Sequence, residues 1–148
     1  MARDSESNAK QTVKFTEAEK RFLRRNEVCR VATSYNDAPY VTPVTYIFDH
    51  NGFFYFATDY TSKKYRNLVK NKRIVLEVDD TYKSSVNNKA VVVRGKAEEF
   101  IEKGEEFRRL YNLFYKKFEW VKKDPFKEGE APFVRVNPLY KVSWGLKK

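Results

Sequence analysis

Phe53-Phe54-Tyr55-Phe56-Ala57-Thr58-Asp59-Tyr60-Thr61-Ser62-Lys63-Lys64 is the stretch on which the reading turns. Its first six residues have strong strand preference, a hydroxyl-rich turn follows, and two lysines open a helical segment predicted over 63–71. A helix start carries unpaired N–H groups and the positive end of the helix dipole. With Thr58, Thr61 and Ser62 as hydroxyl donors and Lys63 and Lys64 as full charges, the junction reads as a seat for a phosphate. The alternative is that Thr61 caps the helix, the lysines are solvated and nothing binds.

Upstream, strand signals come in quick succession. Residues 29–35 run into the turn Asn36-Asp37, residues 40–48 form a second strand rich in Val, Thr and aromatics, and Asp49 to Gly52 closes a hairpin onto Phe53. Pro43 lies inside the second strand, which marks a bulge or an edge there. Before these strands, Thr16-Glu17-Ala18-Glu19 has capping-box spacing and starts a helix over 16–26 whose apolar side is Phe22 and Leu23. Residues 1–14 are polar and read as a tail, with one ordered domain over 15–148.

Downstream, Arg73 to Asp79 reads as a buried strand whose Glu77 must be paired or face water. A polar loop follows to Lys89, then a long strand over 90–98 in which Gly95 permits a bend or bulge. A helix over 102–119 carries Phe107, Leu110, Tyr111, Phe114 and Phe118 along one face, a stripe that belongs to core or subunit interface rather than to a cofactor box. Residues 121–132 read as a loop. Two short strands, 133–136 and 139–144, are separated by the turn Asn137-Pro138. Hairpins dominate, so the fold class is mainly β with peripheral helices, an antiparallel barrel.

The totals narrow the function. At 148 residues the chain fits one domain. No run approaches a membrane span, no secretory signal is visible at the N-terminus, and the single Cys29 fits a reducing cytoplasm. One cysteine and one histidine, His50 in a turn, do not make a Cys/His metal site or a Ser-His-Asp hydrolase. The net charge of +10 favours anionic ligands without choosing one, because the basic residues are interleaved with acids.

Four pieces in order, Val31-Ala32-Thr33-Ser34, Pro39-Tyr40-Val41-Thr42-Pro43-Val44, Phe54-Tyr55-Phe56-Ala57-Thr58 leading to Ser62-Lys63-Lys64, and Val91-Val92-Val93-Arg94-Gly95-Lys96-Ala97-Glu98, resemble the split-barrel flavoproteins of the pyridoxamine 5′-phosphate oxidase-like superfamily. The resemblance covers about residues 15–145. It implies an FMN-binding split barrel in which Thr58, Ser62, Lys63 and Lys64 hold the flavin phosphate, and Thr42, Val44 and Thr45 lie along the ring. It also implies a homodimer with the cofactor at the subunit interface, where the partner's Trp144 covers the ring. Two departures point away from vitamin B6 oxidation. The Arg-rich closing segment of the true oxidases is missing, and so is a basic residue in the second strand, between Thr42 and Ile47. The resulting expectation is an FMN-dependent oxidoreductase acting on a small molecule. A deazaflavin (coenzyme F-420) reductase, a non-catalytic flavin-binding protein and a basic nucleic-acid-binding barrel are the alternatives.

Overall fold

A computed structural model describes residues 13–146. The tail expected over 1–14 lies outside the described residues as far as residue 12, and Val13 already packs on the core. Helix α1 spans Glu17–Arg25 and opens with the expected capping box: Thr16 and Glu19 exchange hydrogen bonds of 2.9 and 3.1 Å. Strand β1 (Val28–Tyr35) turns through Asn36 and Asp37, both at positive φ, into β2 (Ala38–Thr45). Tyr46 separates β2 from the short β3 (Ile47–Phe48), and Asp49 closes the next hairpin by accepting from the N–H groups of Asn51 and Phe53. Strand β4 (Phe54–Ala57), helix α2 (Lys63–Lys70), β5 (Arg73–Asp79) and β6 (Ala90–Ile101) follow. Helices α3 (Glu105–Lys117) and α4 (Glu119–Lys123) precede the last strand, β7 (Phe133–Trp144).

The seven strands form one antiparallel sheet in the order β2-β1-β5-β6-β7-β4-β3. Its two outermost members, β2 and β3, are consecutive in the chain with only Tyr46 between them. The sheet must therefore curl until its ends meet, which is the split barrel expected from the sequence. Tyr46 pins that corner: its N–H donates to the Glu27 carbonyl at 3.1 Å and its hydroxyl to the Leu23 carbonyl at 2.5 Å. The Lys117 ammonium, at the end of α3, donates to the carbonyls of Arg24, Asn26 and Tyr46 and ties the same corner to the helix layer. Burial lowers the Lys117 pKa, so these three carbonyls take the place of the water the charge has lost.

Two apolar clusters flank the sheet. The barrel interior holds Phe22, Leu23, Val31, Tyr46, Phe54, Phe56 and Leu76 among others. On the outside, the predicted stripe of α3 is core: Phe107, Leu110, Phe114 and Phe118 cover Phe53, Tyr55 and Phe133.

Two readings are corrected and one that was open is resolved. The strands expected at 133–136 and 139–144 are one strand, because the Asn137-Pro138 pair is absorbed by a register shift opposite Gly95. Gly95 is required there: a Cβ on it would lie 2.4 Å from the Asn137 carbonyl oxygen. Pro43 sits within a continuous strand with only β1 beside it, so it marks an edge. The helix expected over 102–119 ends at Lys117. Phe118 adopts an extended backbone (φ −122°, ψ 127°), and the chain restarts as α4 inside what reads as a loop.

Candidate functional site

The turn between β4 and α2 carries the residues singled out first. Thr58 is buried, anchored by its N–H to the Pro132 carbonyl at 3.1 Å, and its hydroxyl lies 2.8 Å from that of Ser62. The N-cap of α2 is Ser62 rather than Thr61: the Ser62 hydroxyl accepts from the Tyr65 N–H at 3.1 Å, while the Thr61 carbonyl accepts from the Arg66 guanidinium. Two consequences follow. The N–H groups of Lys63 and Lys64 remain as the orphan donors that a helix start carries. If Thr58 donates to Ser62, the Ser62 proton is left to point outward at an anion.

Lys63 is exposed, whereas Lys64 is half-buried. Desolvation lowers the Lys64 pKa, opposed in part by the charge of Asp59. An incoming phosphate would offset that cost by pairing with the ammonium. Lys64 also lines a cavity of about 410 Å³ together with Ala57, Thr58, Trp120, Asp124 and Phe126. Asp59, Asp124 and Glu130 supply a negative wall to this cavity, so an anion could approach it only on the Lys64 side.

Strand β2 meets this turn through one side chain. The Trp120 indole N–H, on α4, donates to the Thr45 hydroxyl at 3.0 Å while Trp120 lines the cavity beside Thr58. Thr45 is thus joined to the β4–α2 turn. Val44 and Thr42, both half-buried, lie further along the same strand, Thr42 roughly 10 Å from Thr45. As an edge strand β2 keeps one row of backbone N–H and C=O groups off the ladder and open to a ligand.

Trp144 is not brought to this site. It ends the twelve-residue β7, whose first residue, Phe133, pairs with Ala57 next to the turn. At about 3.3 Å per residue, the two ends are some 30 Å or more apart. Trp144 is exposed, its indole donating to Asn88 at 2.8 Å. Arg94 lies on the same outer face, its guanidinium 4.4 Å from the Tyr140 ring.

The residue that sequence reasoning missed is Trp120. It falls between the helix expected over 102–119 and the loop expected over 121–132, outside the periodic stripe of α3, and only the break at Phe118 turns it toward β2. Among the described residues no group of three or more His, Cys, Asp or Glu is placed to hold a metal ion. No helix there is long and apolar enough to cross a membrane.

The profile of the pyridoxamine 5′-phosphate oxidase family matches residues 15–140, and the chain belongs to that family. No curated protein sequence matches the chain. Among solved structures it is similar to an F420 reductase (21% identity, TM-score 0.65, covering 86% of this chain and 98% of that one). It is also similar to an FAD-binding protein from Mesorhizobium loti (22%, TM-score 0.64, 84% and 89%). A third is the haem-storage protein HutZ from Vibrio cholerae (14%, TM-score 0.69, 83% and 89%). At these identities the likeness is one of fold.

Proposed function

We propose that the chain is a flavin-dependent oxidoreductase that binds FMN at the β4–α2 turn and acts as a homodimer on a small molecule. The observation that carries this reading is the turn itself, where the Thr58 and Ser62 hydroxyls lie 2.8 Å apart at the start of a helix whose first two residues are Lys63 and Lys64. Lys63 and Lys64 bind the phosphate by charge, and the Ser62 hydroxyl and the N–H groups of Lys63 and Lys64 orient it. The open edge of β2 from Thr42 to Thr45 offers backbone donors and acceptors to the polar rim of the ring, with Val44 and Thr45 at its centre. FMN, once bound, supplies two-electron redox chemistry with a reduced pyridine nucleotide as donor.

The dimer is supported by the uncovered outer face of β1, β2, β5, β6 and the far half of β7. Val28, Val41, Tyr140, Val142 and Trp144 are all exposed there. Trp144 is too far along β7 to serve its own chain's turn, so in this reading it covers the ring held by the partner copy.

Purified protein is expected to bind FMN with a shift in the flavin spectrum. Replacing Lys63 and Lys64 together by Ala is expected to weaken binding roughly 100-fold, as two charge-assisted contacts would. Unchanged affinity in that double variant removes the phosphate assignment. The similarity to an F420 reductase makes the deazaflavin F420 the second reading, and direct competition with FMN decides between them. Anaerobic bleaching by NADH or NADPH with turnover separates an enzyme from a flavin carrier.

A further inference from the structure

We infer that Trp120 is the positioning residue for the ligand's flat ring, its indole forming the shelf between the phosphate turn and the edge of β2. The inference rests on the flavin reading above and adds to it a residue that neither the sequence motifs nor the family match singles out.

Three observations converge on this side chain. First, Trp120 touches both halves of the site: its indole N–H donates to Thr45 at 3.0 Å, and it lines the cavity that Thr58 and Lys64 also line. A phosphate held at the turn and a ring lying along Thr42 to Thr45 must therefore pass beside it. Second, the indole is fixed in orientation. Phe126 stacks on it with centroids 6.1 Å apart and planes within 6°, and Phe126 is wedged in turn against Phe107, Tyr111 and Phe133. Third, Trp120 remains 37% exposed despite this anchoring. A large ring held by a stack and a hydrogen bond, yet left partly open at a cavity wall, is preorganised to receive a second flat ring at little entropic cost.

The backbone explains why the residue is there. Helix α3 stops at Lys117, whose ammonium is locked on the carbonyls at the Tyr46 corner, and Phe118 is buried in extended conformation. The chain consequently re-enters α4 pointing back at β2, and Trp120 is the residue it delivers to Thr45. The neighbouring Val121 is buried and carries the packing of α4.

The test is FMN binding to wild type and to Trp120→Phe and Trp120→Ala, each made with Trp144→Phe so that no second indole can quench, followed by the flavin's own fluorescence and by affinity. An indole stacked on a flavin quenches its emission by electron transfer, which phenylalanine does not. The expected result is dark bound FMN in Trp144→Phe and markedly brighter bound FMN once Trp120→Phe is added, with affinity close to that of Trp144→Phe because a flat ring remains. Trp120→Ala is expected to bind roughly tenfold more weakly, in the range of one lost aromatic stack. Thermal unfolding of the flavin-free proteins identifies a variant that has lost its fold, in which case Trp120→Phe alone decides. Unchanged emission in Trp120→Phe, or unchanged affinity in a folded Trp120→Ala, overturns the inference and leaves FMN binding at the turn intact. A wild type that binds no FMN overturns both.

Discussion

One half of the sheet's outer face is covered and the other is bare, although the strands are built from the same kinds of residue. Over β3, β4 and the start of β7, the aromatics Phe53, Tyr55 and Phe133 are buried beneath Phe107, Leu110 and Phe114 of α3. Over β1, β2, β5 and the end of β7, Val28, Val41, Tyr140, Val142 and Trp144 have no helix above them, and charged Arg30, Glu77, Asp79 and Arg94 are interspersed. The covered half shows where this chain completes its own core. The bare half mixes apolar and charged side chains, and in the proposed dimer it is the face that meets the partner copy. The candidate site lies where the two regimes meet, at the junction of β2 with α4.

The comparison can be tested from both sides, beginning with the largest effect. Phe114→Ala empties the covered half and is expected to cost about 3–5 kcal/mol of folding stability, measured by urea unfolding. A loss below about 1 kcal/mol would mean that the helix layer is not a true core. Val142→Glu places a charge on the bare half. Light scattering is expected to show roughly 100-fold weaker self-association with an unchanged circular dichroism spectrum. If the wild type is a monomer at all concentrations, or Val142→Glu unfolds, the two halves do not differ as argued.

The third prediction is smaller and concerns pH. On the bare half, desolvation and then the Asp79 carboxylate push the Glu77 carboxyl from its ordinary 4.5 up to about 7, against the pull of Arg30 at 3.3 Å. The bond with Glu77 holds Asp79 down at about 2. Glu77 is therefore protonated more readily in the folded state than in the unfolded chain. Its contribution to stability is fully present below about pH 4.5 and is lost as pH rises through about 7. The melting temperature is expected to fall modestly between pH 5 and pH 8, and Glu77→Gln, which mimics the neutral form, is expected to flatten that slope. Asp79 works in the opposite sense, its contribution disappearing only as pH drops through about 2. An identical pH profile in Glu77→Gln would show that another group sets the slope.

Much of the fold is legible in the sequence because its signals are local. The capping box at Thr16, the Asn36-Asp37 turn and the strand preference of Arg73 to Asp79 each act over a few residues, and each recurs in the structure where expected. The α3 stripe is legible for the same reason. The errors arise where a distant partner overrides the local signal. Asn137-Pro138 reads as a turn but is held extended by pairing with Gly95 and Lys96, forty residues away in sequence. The segment from residue 121 reads as loop because the helix that runs into it, Glu119–Lys123, is only five residues long and owes its place to buried Val121.

By itself, then, the sequence determined the class of fold, the order of its elements and the cluster of hydroxyls and lysines at the β4–α2 turn. These follow from hydrogen-bond capacity, residue shape and charge within one or two turns of chain. Only the tertiary structure decided that β2 and β3 are the meeting ends of one curled sheet, that Trp144 stands far from the turn, and that Trp120 stands beside it. Those placements depend on which surfaces exclude water from one another across the whole barrel, and no short window of sequence contains that information.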